Sequence, residues 1–196
     1  MEIIEFTQKY WLDWPKHFKV TMRNKRLKHL EDIRIKLFEE LQALSSEKLN
    51  SCIDGRWSIN QILYHLWLAE ASSEQYIRTK TKYPDYLISV SPLTYLKPKI
   101  VEFLLGLGIK VKAPQIVSQF PEKIDLQKIN EQWGKSRKSF DELILELKEK
   151  KLDNKAIFKH GLLGRINLKL TLDFFDFGSR IIISWSAPFP PISAEF

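Results

Sequence analysis

Apolar residues recur every three or four positions in a segment that begins at Asn24. This spacing is typical of an amphipathic helix that buries one face, and its apolar members are Leu27, Leu30, Ile33, Leu37, Leu41 and Leu44. The pattern ends in LSSEKLNSCIDG, whose small polar residues predict a loop that accommodates one helical turn. Residues 2 to 18, which contain Trp11 and Trp14, are predicted to form a short helical lead-in.

The second helix has the clearest start signal in the chain, in WSINQILYHL. Ser58 is a favourable N-cap, and Gln61 follows three residues later to complete a capping box. Trp57 and Ile62 occupy the positions of a hydrophobic staple. The helix is predicted from Ser58 to about Lys80. Its predicted inward stripe places one histidine among mostly small or apolar residues, namely Ile62, His65, Ala69, Ser72 and Tyr76.

A long connection, residues 81 to 127, separates the second helix from the third. An apolar piece from Ile100 to Ile109 predicts a short helix inside it. A connection of this length predicts that the two flanking helices run in the same direction. The third helix is predicted to begin near Asp125 or Lys128, and its buried face is predicted to contain Ile129, Trp133, Ser136, Phe140, Leu143, Ile144 and Leu147.

The last helix is predicted to use Asn167 as its cap and to end near residue 177. Beyond it, Gly178, three prolines and runs of β-branched residues predict an irregular tail over 178–196. No repeat and no alternating strand pattern is apparent. The prediction is therefore one all-α domain over residues 1–196.

Composition narrows the class of protein. Hydrophobic residues make up 44% and charged residues 28% of 196 residues, which argues against intrinsic disorder. The single cysteine, Cys52, excludes an internal disulfide and a cysteine-rich zinc module, and it favours a cytoplasmic location. No stretch approaches the ~20 apolar residues that span a bilayer, and no secretory signal is apparent, so no membrane partner is expected.

The net charge of +7 permits contact with nucleic acid or with an acidic membrane surface. A basic cluster without acids falls within residues 16 to 28 and contains Lys16, Lys19, Arg23, Lys25, Arg26 and Lys28. Half of these residues would line the solvated side of the first helix in any case. Nucleic acid is therefore not expected as a partner.

Three segments resemble, in chain order, the motifs of the DinB-like family, bacterial four-helix bundles named for DNA-damage induction. LSSEKLNSCIDGRWSINQILYHLWLAE is similar to the lead and body of the second helix of the family. EQWGKSRKSFDELILEL resembles the third helix, with a Trp and an Arg ahead of an apolar run, and HGLLGRINLKLTLDF resembles the entry to the fourth. The resemblance covers most of residues 24 to 177. It implies a bundle with a long crossover between helices two and three.

The same resemblance implies metal chemistry. Members of the family hold a divalent ion, often zinc or nickel, with one histidine from helix two and two histidines four residues apart on helix four. Three neutral imidazoles leave an open coordination position at which a thiol or water is deprotonated. The implied reaction joins a small thiol to an electrophilic substrate in a bacterial stress response, and the implied assembly is a homodimer.

Only one of the three implied ligands is present in this chain. His65 matches the helix-two ligand, whereas the helix-four positions are Gly178 and Ile182, which cannot bind metal. His160 resembles a histidine of the family that is not a ligand. One histidine alone is not a metal site of useful affinity, because zinc sites use at least three protein ligands.

Other polar residues of the last helix do not replace the missing ligands. Asp173, Asp176 and Arg180 share a face that is offset from positions 178 and 182, and they are predicted to form an exposed polar stripe. The change in composition at residue 178 also raises the hypothesis that the reading frame shifted near this codon.

Two functions remain open at this stage. The first is a DinB-like metal-dependent transferase or hydrolase with His65 as a ligand. The second is a non-catalytic or degenerate bundle that has no bound metal and serves as an interaction protein. In the second case His65 is a core histidine bonded to a neighbouring helix. The catalytic residues are unassigned in both cases.

Overall fold

The computed structural model describes residues 22–52, 57–106, 120–121 and 123–186. This part of the chain is mostly helical, with two 3-10 turns and one hairpin of two short strands. Its α-helices are α1 (Lys25–Leu41), α2 (Ser46–Asn50), α3 (Ile59–Lys80), α4 (Lys97–Gly106), α5 (Leu126–Glu149) and α6 (Leu168–Ser186). The 3-10 turns are Pro84–Tyr86 and Pro92–Tyr95, and the strands are β1 (Phe158–His160) and β2 (Gly164–Ile166). The predicted lead-in over residues 2 to 18 lies outside the described residues.

The long helices begin at the residues that the sequence predicted. Side-chain oxygens accept hydrogen bonds from the first-turn amides at Asn24, Ser58, Asp125 and Asn167. At Ser58 the capping box is complete, because the Gln61 side chain also accepts from the Ser58 amide at 2.8 Å. These caps satisfy amide groups that would otherwise have no partner at a helix start. The single helical turn predicted in the loop before α3 is α2.

Helices α3 and α5 run in the same direction. Near their starts, Asn60 donates to the carbonyl of Ile124 at 2.9 Å. Further along both helices, Arg78 donates to the carbonyl of Ser139 at 2.8 Å. The end of α3 and the start of α5 therefore lie at opposite ends of the pair, which agrees with the parallel direction predicted from the length of the connection.

The other two long helices run opposite to this pair. At the start of α1, the backbone amide of Asn24 donates to the carboxylate of Asp141, late in α5, at 2.9 Å. Further along α1, the Arg34 side chain donates to the carbonyl of Asn130, early in α5, at 3.1 Å. Helix α6 begins beside β1, whose Phe158 ring contacts Tyr76 late in α3, and it then runs back toward the start of α3. Helices α1 and α6 are therefore parallel to each other and antiparallel to α3 and α5.

The buried face of α3 differs from the predicted stripe. Its buried residues are Asn60, Ile62, Leu63, Glu70, Ser73, Glu74 and Ile77. Of the predicted stripe only Ile62 is buried, while His65, Ala69 and Ser72 are half-buried and Tyr76 is exposed. The predicted stripe was wrong because it left out two acidic residues that are buried. Glu70 and Glu74 are buried through ion pairs with Arg137 and Arg78.

A short hairpin precedes α6, although the sequence showed no alternating pattern. Its register pairs Phe158 with Ile166, Lys159 with Arg165, and His160 with Gly164. Each strand has only three residues, which is too short for alternation to stand out. Gly164 has φ +75°, a left-handed conformation that glycine adopts without steric cost.

Helix α6 continues past residue 178 to Ser186, so the predicted irregular tail is wrong for residues 178–186. The small residue Gly178 lies where α6 approaches α3, and its neighbour Ser179 is buried with its hydroxyl donating to the Phe175 carbonyl at 3.0 Å. Both residues therefore fit a helix interior. The glycine at residue 178 therefore gives no support to the frame-shift hypothesis, and the three prolines of the tail lie outside the described residues.

Candidate functional site

The one implied metal ligand, His65, lies in an aromatic cluster near the start of α3. Its half-buried ring is 5.1 Å from the Trp57 ring, measured between centroids. Trp57 in turn packs edge-on against Phe120 at 4.8 Å, and Tyr64 packs against Trp67 at 5.2 Å. The aromatic contact of His65 with Trp57 fits a packing role for this histidine.

Gly178 of α6 lies against Leu66 of α3, the residue that follows His65. A Cβ atom at Gly178 would lie 3.1 Å from Cδ2 of Leu66, which is closer than an ordinary van der Waals contact. A methyl group at residue 178 therefore requires a small shift of the Leu66 side chain, and a larger side chain requires Leu66 to leave this space.

The residues present do not fit the metal centre that the resemblance implies. Gly178 has no donor atom, Ile182 has a hydrocarbon side chain, and only His65 retains a ligand group. Across the described ranges, no three His, Cys, Asp or Glu side chains lie close enough together to hold a metal ion. The donor groups around His65 therefore do not support a metal-bound nucleophile.

Asp173 and Asp176 of α6 were predicted to belong to an exposed polar stripe, but both are half-buried and form ion pairs. Asp173 accepts hydrogen bonds from Arg26 of α1 and from Lys169, the latter at 2.9 Å. Partial burial raises the pKa of Asp173, but the hydrogen bonds and charges of Lys169 and Arg26 outweigh it and lower the pKa below its ordinary value. Asp176 pairs with Arg180 at 3.2 Å. Asp173 therefore links α6 to α1.

His160 stabilises the hairpin turn. Its Nδ1 atom accepts hydrogen bonds from the amides of Leu162 and Leu163, both at 3.2 Å, and its ring lies 4.3 Å from the Phe174 ring. Burial lowers the pKa of His160, because the charged imidazolium is poorly solvated there. An acceptor at Nδ1 also requires the neutral ring. This histidine is a structural residue of the turn.

A buried ion cluster, which the sequence did not predict, joins α1, α3 and α5. It consists of Glu31, Arg34, Glu70, Trp133 and Arg137. Arg137 donates to both carboxylate oxygens of Glu70, at 2.5 and 2.7 Å, and the indole of Trp133 donates to Glu70 at 2.8 Å. Arg34 makes a two-point pair with Glu31 at 2.6 and 2.8 Å. The paired charges offset the cost of removing ions from water.

One atom of the buried ion cluster is left over. Nη1 of Arg137 is buried without a hydrogen-bond partner among the described residues and lies 4.0 Å from the nearer carboxylate oxygen of Glu31. The sequence did contain a signal for this cluster. Arg137 lies between Trp133 and Phe140 at helical spacing, so an arginine occupies the apolar face of the predicted helix.

A surface cleft of about 190 Å³ lies between α1 and α6. It is lined by two cations, a histidine, two leucines and one carboxylate, namely Lys25, Arg26, His29, Leu30, Leu172 and Asp176. Two members of the predicted basic cluster, Lys25 and Arg26, are therefore at this cleft, and Arg26 is already paired with Asp173. The lining offers charge and apolar contact but no nucleophile with an adjacent base.

Comparisons with known proteins give no match: no protein-family profile fits the chain, and neither curated proteins nor solved structures resemble it significantly. Within the described residues, no helix is both long and apolar enough to cross a membrane. The likeness to the DinB-like family therefore rests on the three sequence segments.

Proposed function

We propose that this protein is a DinB-like four-helix bundle that has lost its metal centre and functions as a non-catalytic interaction protein. The observation that carries the proposal is the contact between Gly178 and Leu66. At the helix-four position where the family has a histidine, α6 has a glycine, and an apolar side chain of α3 occupies the adjoining space. The result is a close helix–helix contact beside His65.

Two further observations support the family part of the proposal. Trp133 and Arg137 come from the segment that resembles the third helix, and both bind Glu70, the last residue of the segment that resembles the second. The residues that carry the resemblance thus contact one another although they are 63 and 67 positions apart in the chain. The parallel arrangement of α3 and α5 also agrees with a long crossover between helices two and three.

The competing function is the metal-dependent transferase or hydrolase in which His65 binds zinc or nickel. This function requires at least two further ligands near His65. Within the described ranges no such set occurs, so the first proposal is favoured. Both proposals assume descent from the DinB-like family, and they differ in whether the protein binds a metal ion.

Metal content tests the loss of the centre. The protein is purified from medium supplemented with zinc and nickel, without an affinity tag that binds metal, and its metal is measured by mass spectrometry. We expect less than one equivalent of either ion and no difference between the wild type and His65→Ala. His29→Ala is the matched control, because His29 is an exposed histidine of α1. One equivalent that is lost only in His65→Ala would show that the metal centre is retained and would overturn this proposal.

A gain-of-site variant tests the family assignment separately. Gly178→His and Ile182→His introduce the two missing ligands, and Leu66→Ala makes room for the first of them. We expect this triple variant to bind zinc or nickel, and to lose the ion when His65→Ala is added. If the variant folds, as judged by circular dichroism, but binds no ion, the positions inferred from the DinB-like family are wrong.

A further inference from the structure

Large apolar side chains protrude into solvent on one side of the molecule. We call this set the outer patch, and its exposed fractions are 70% for Leu93, 56% for Leu96, 53% for Ile100, 66% for Phe103 and 47% for Leu162. Four of its five members lie on α4 and the residues just before it, at spacings of three and four. Ile100 and Phe103 therefore share one side of α4, and Leu93 and Leu96 precede it in the chain.

The outer patch is presented by a helix whose other side is packed. Val101 of α4 packs against a small core cluster formed by Leu163, Ile166 and Leu170. At the start of α4, the Lys97 ammonium donates to the Leu163 carbonyl at 3.4 Å, which brings the helix close to the hairpin turn that contains Leu162. Helix α4 is therefore amphipathic, with one face on the core and the outer patch on the other.

Cations accompany the outer patch. Lys97 and Lys99 are exposed on α4, and Lys159 and Arg165 are exposed and directly opposite each other across the hairpin. Two like charges in a cross-strand pair repel each other, so this pair weakens the hairpin unless an anion lies nearby. Residues 92–106 and 158–166 together contain these four cations and one carboxylate, Glu102.

We propose that the outer patch and its four cations form a peripheral binding surface for an anionic lipid bilayer. The protruding side chains enter the boundary between headgroups and acyl chains, and the lysines and the arginine contact the anionic headgroups. This proposal departs from the expectation that the chain has no membrane partner. That expectation concerned a spanning segment, and a surface that lies on a bilayer needs none.

The charge and shape of the surface disfavour a second copy of the chain. A symmetric dimer through the outer patch would bring two surfaces of the same positive charge together, which is repulsive. The apolar side chains of the patch are 47% to 70% exposed, and a bilayer accommodates such side chains without a complementary pocket. An anionic bilayer therefore matches both the charge and the apolar character of the surface.

Vesicle co-sedimentation tests the proposal. The full chain is mixed with vesicles of phosphatidylcholine alone or of phosphatidylcholine with phosphatidylserine. We expect binding to the anionic vesicles that falls as salt is added, and much weaker binding to the neutral ones. Leu93→Ser/Phe103→Ser and Lys99→Glu/Lys159→Glu are each expected to lower the partition coefficient about tenfold or more.

The controls are chosen on α1, which contributes no residue to the outer patch. Ile35→Ser and Lys36→Glu alter one exposed apolar residue and one exposed cation of α1, and neither is expected to change the partition. Urea unfolding confirms that each variant is folded. Equal binding to both vesicle types, no binding, or unchanged binding in the patch variants would overturn the proposal. So would a dimer, detected by light scattering, that the patch variants dissociate.

Discussion

Arg137 of α5 and Glu70 of α3 form a two-point ion pair in the interior, where only 1% of the arginine side chain is exposed. Removing one partner leaves the other charge buried without compensation. We therefore expect Glu70→Leu to lower the free energy of unfolding by about 3–5 kcal/mol. Urea denaturation followed by circular dichroism measures this loss.

Two companion variants make the ion-pair prediction specific. Glu70→Leu/Arg137→Met replaces both charges with apolar groups and is expected to recover most of the lost stability. Asp32→Ala removes an exposed pair with Lys28 on α1 and is expected to cost less than about 1 kcal/mol. If Glu70→Leu costs no more than Asp32→Ala, the buried ion cluster does not hold these helices together.

The lowered pKa of His160 predicts a loss of stability in mild acid. Between the folded-state pKa and the ordinary value of 6.5, the unfolded chain binds a proton that the folded chain does not. The free energy of unfolding therefore falls with decreasing pH in this window, by at most about 1.4 kcal/mol per pH unit. Well above pH 6.5 the histidine is neutral in both states and contributes no pH dependence.

The variant His160→Asn isolates this effect, because the amide oxygen of asparagine can accept the same turn hydrogen bonds without titrating in this range. We expect the difference in unfolding free energy between wild type and variant to change between about pH 7 and about pH 5. A difference that stays constant over this range would show that His160 is not held neutral by the fold.

Replacing either of two helical glycines with alanine is predicted to change the free energy of unfolding, and in opposite directions at the two positions. In a helix, alanine is more stable than glycine by about 1 kcal/mol. At Gly178 the obstructing atom is the end of the half-buried Leu66 side chain, which can rotate, so Gly178→Ala is expected to add about 0.5–1 kcal/mol to the unfolding free energy.

At Gly134, by contrast, a Cβ atom would lie 3.3 Å from Nη2 of Arg34, which is held by its two-point pair with Glu31. Because this group cannot move without breaking the pair, Gly134→Ala is expected to lower the unfolding free energy by about 1 kcal/mol. Equal effects of alanine at the two glycines, measured by urea denaturation, would contradict this account of the packing.

Asp141 is predicted to anchor the start of α1. Its two carboxylate oxygens accept hydrogen bonds from the amides of Arg23 and Asn24, both at 2.9 Å. Asp141→Ala leaves these amides unpaired and is expected to cost about 1–3 kcal/mol. Hydrogen exchange at both amides is expected to accelerate. The neighbouring exposed residue provides the control, since Glu142→Ala is expected to leave both the stability and the exchange unchanged.

The features that the sequence predicted correctly are those encoded locally. The start of α3 follows from Ser58 and Gln61, which are three residues apart and bond to each other. The start of α6 follows in the same way from Asn167. Caps of this kind need no knowledge of the rest of the fold, because both partners lie within one helical turn.

The features that the sequence missed depend on distant partners. Glu70 is buried only because Arg137, 67 residues later, neutralises it, and a single-helix pattern does not contain that information. From the sequence alone, Gly178 suggests the end of a helix. The structure explains this glycine by the close approach of α3. For the candidate site, His65 was selected through the family resemblance alone, and the contact that closes the space beside it is visible only in three dimensions.

The parallel course of α3 and α5 requires the chain between them to pass from one end of the pair back to the other. The described part of this segment is anchored on the way, because Leu87 lies in the core and Val101 packs against the cluster of Leu163, Ile166 and Leu170. The outward side of α4 can therefore change in composition, whereas its packed side is fixed by the hairpin and by α6.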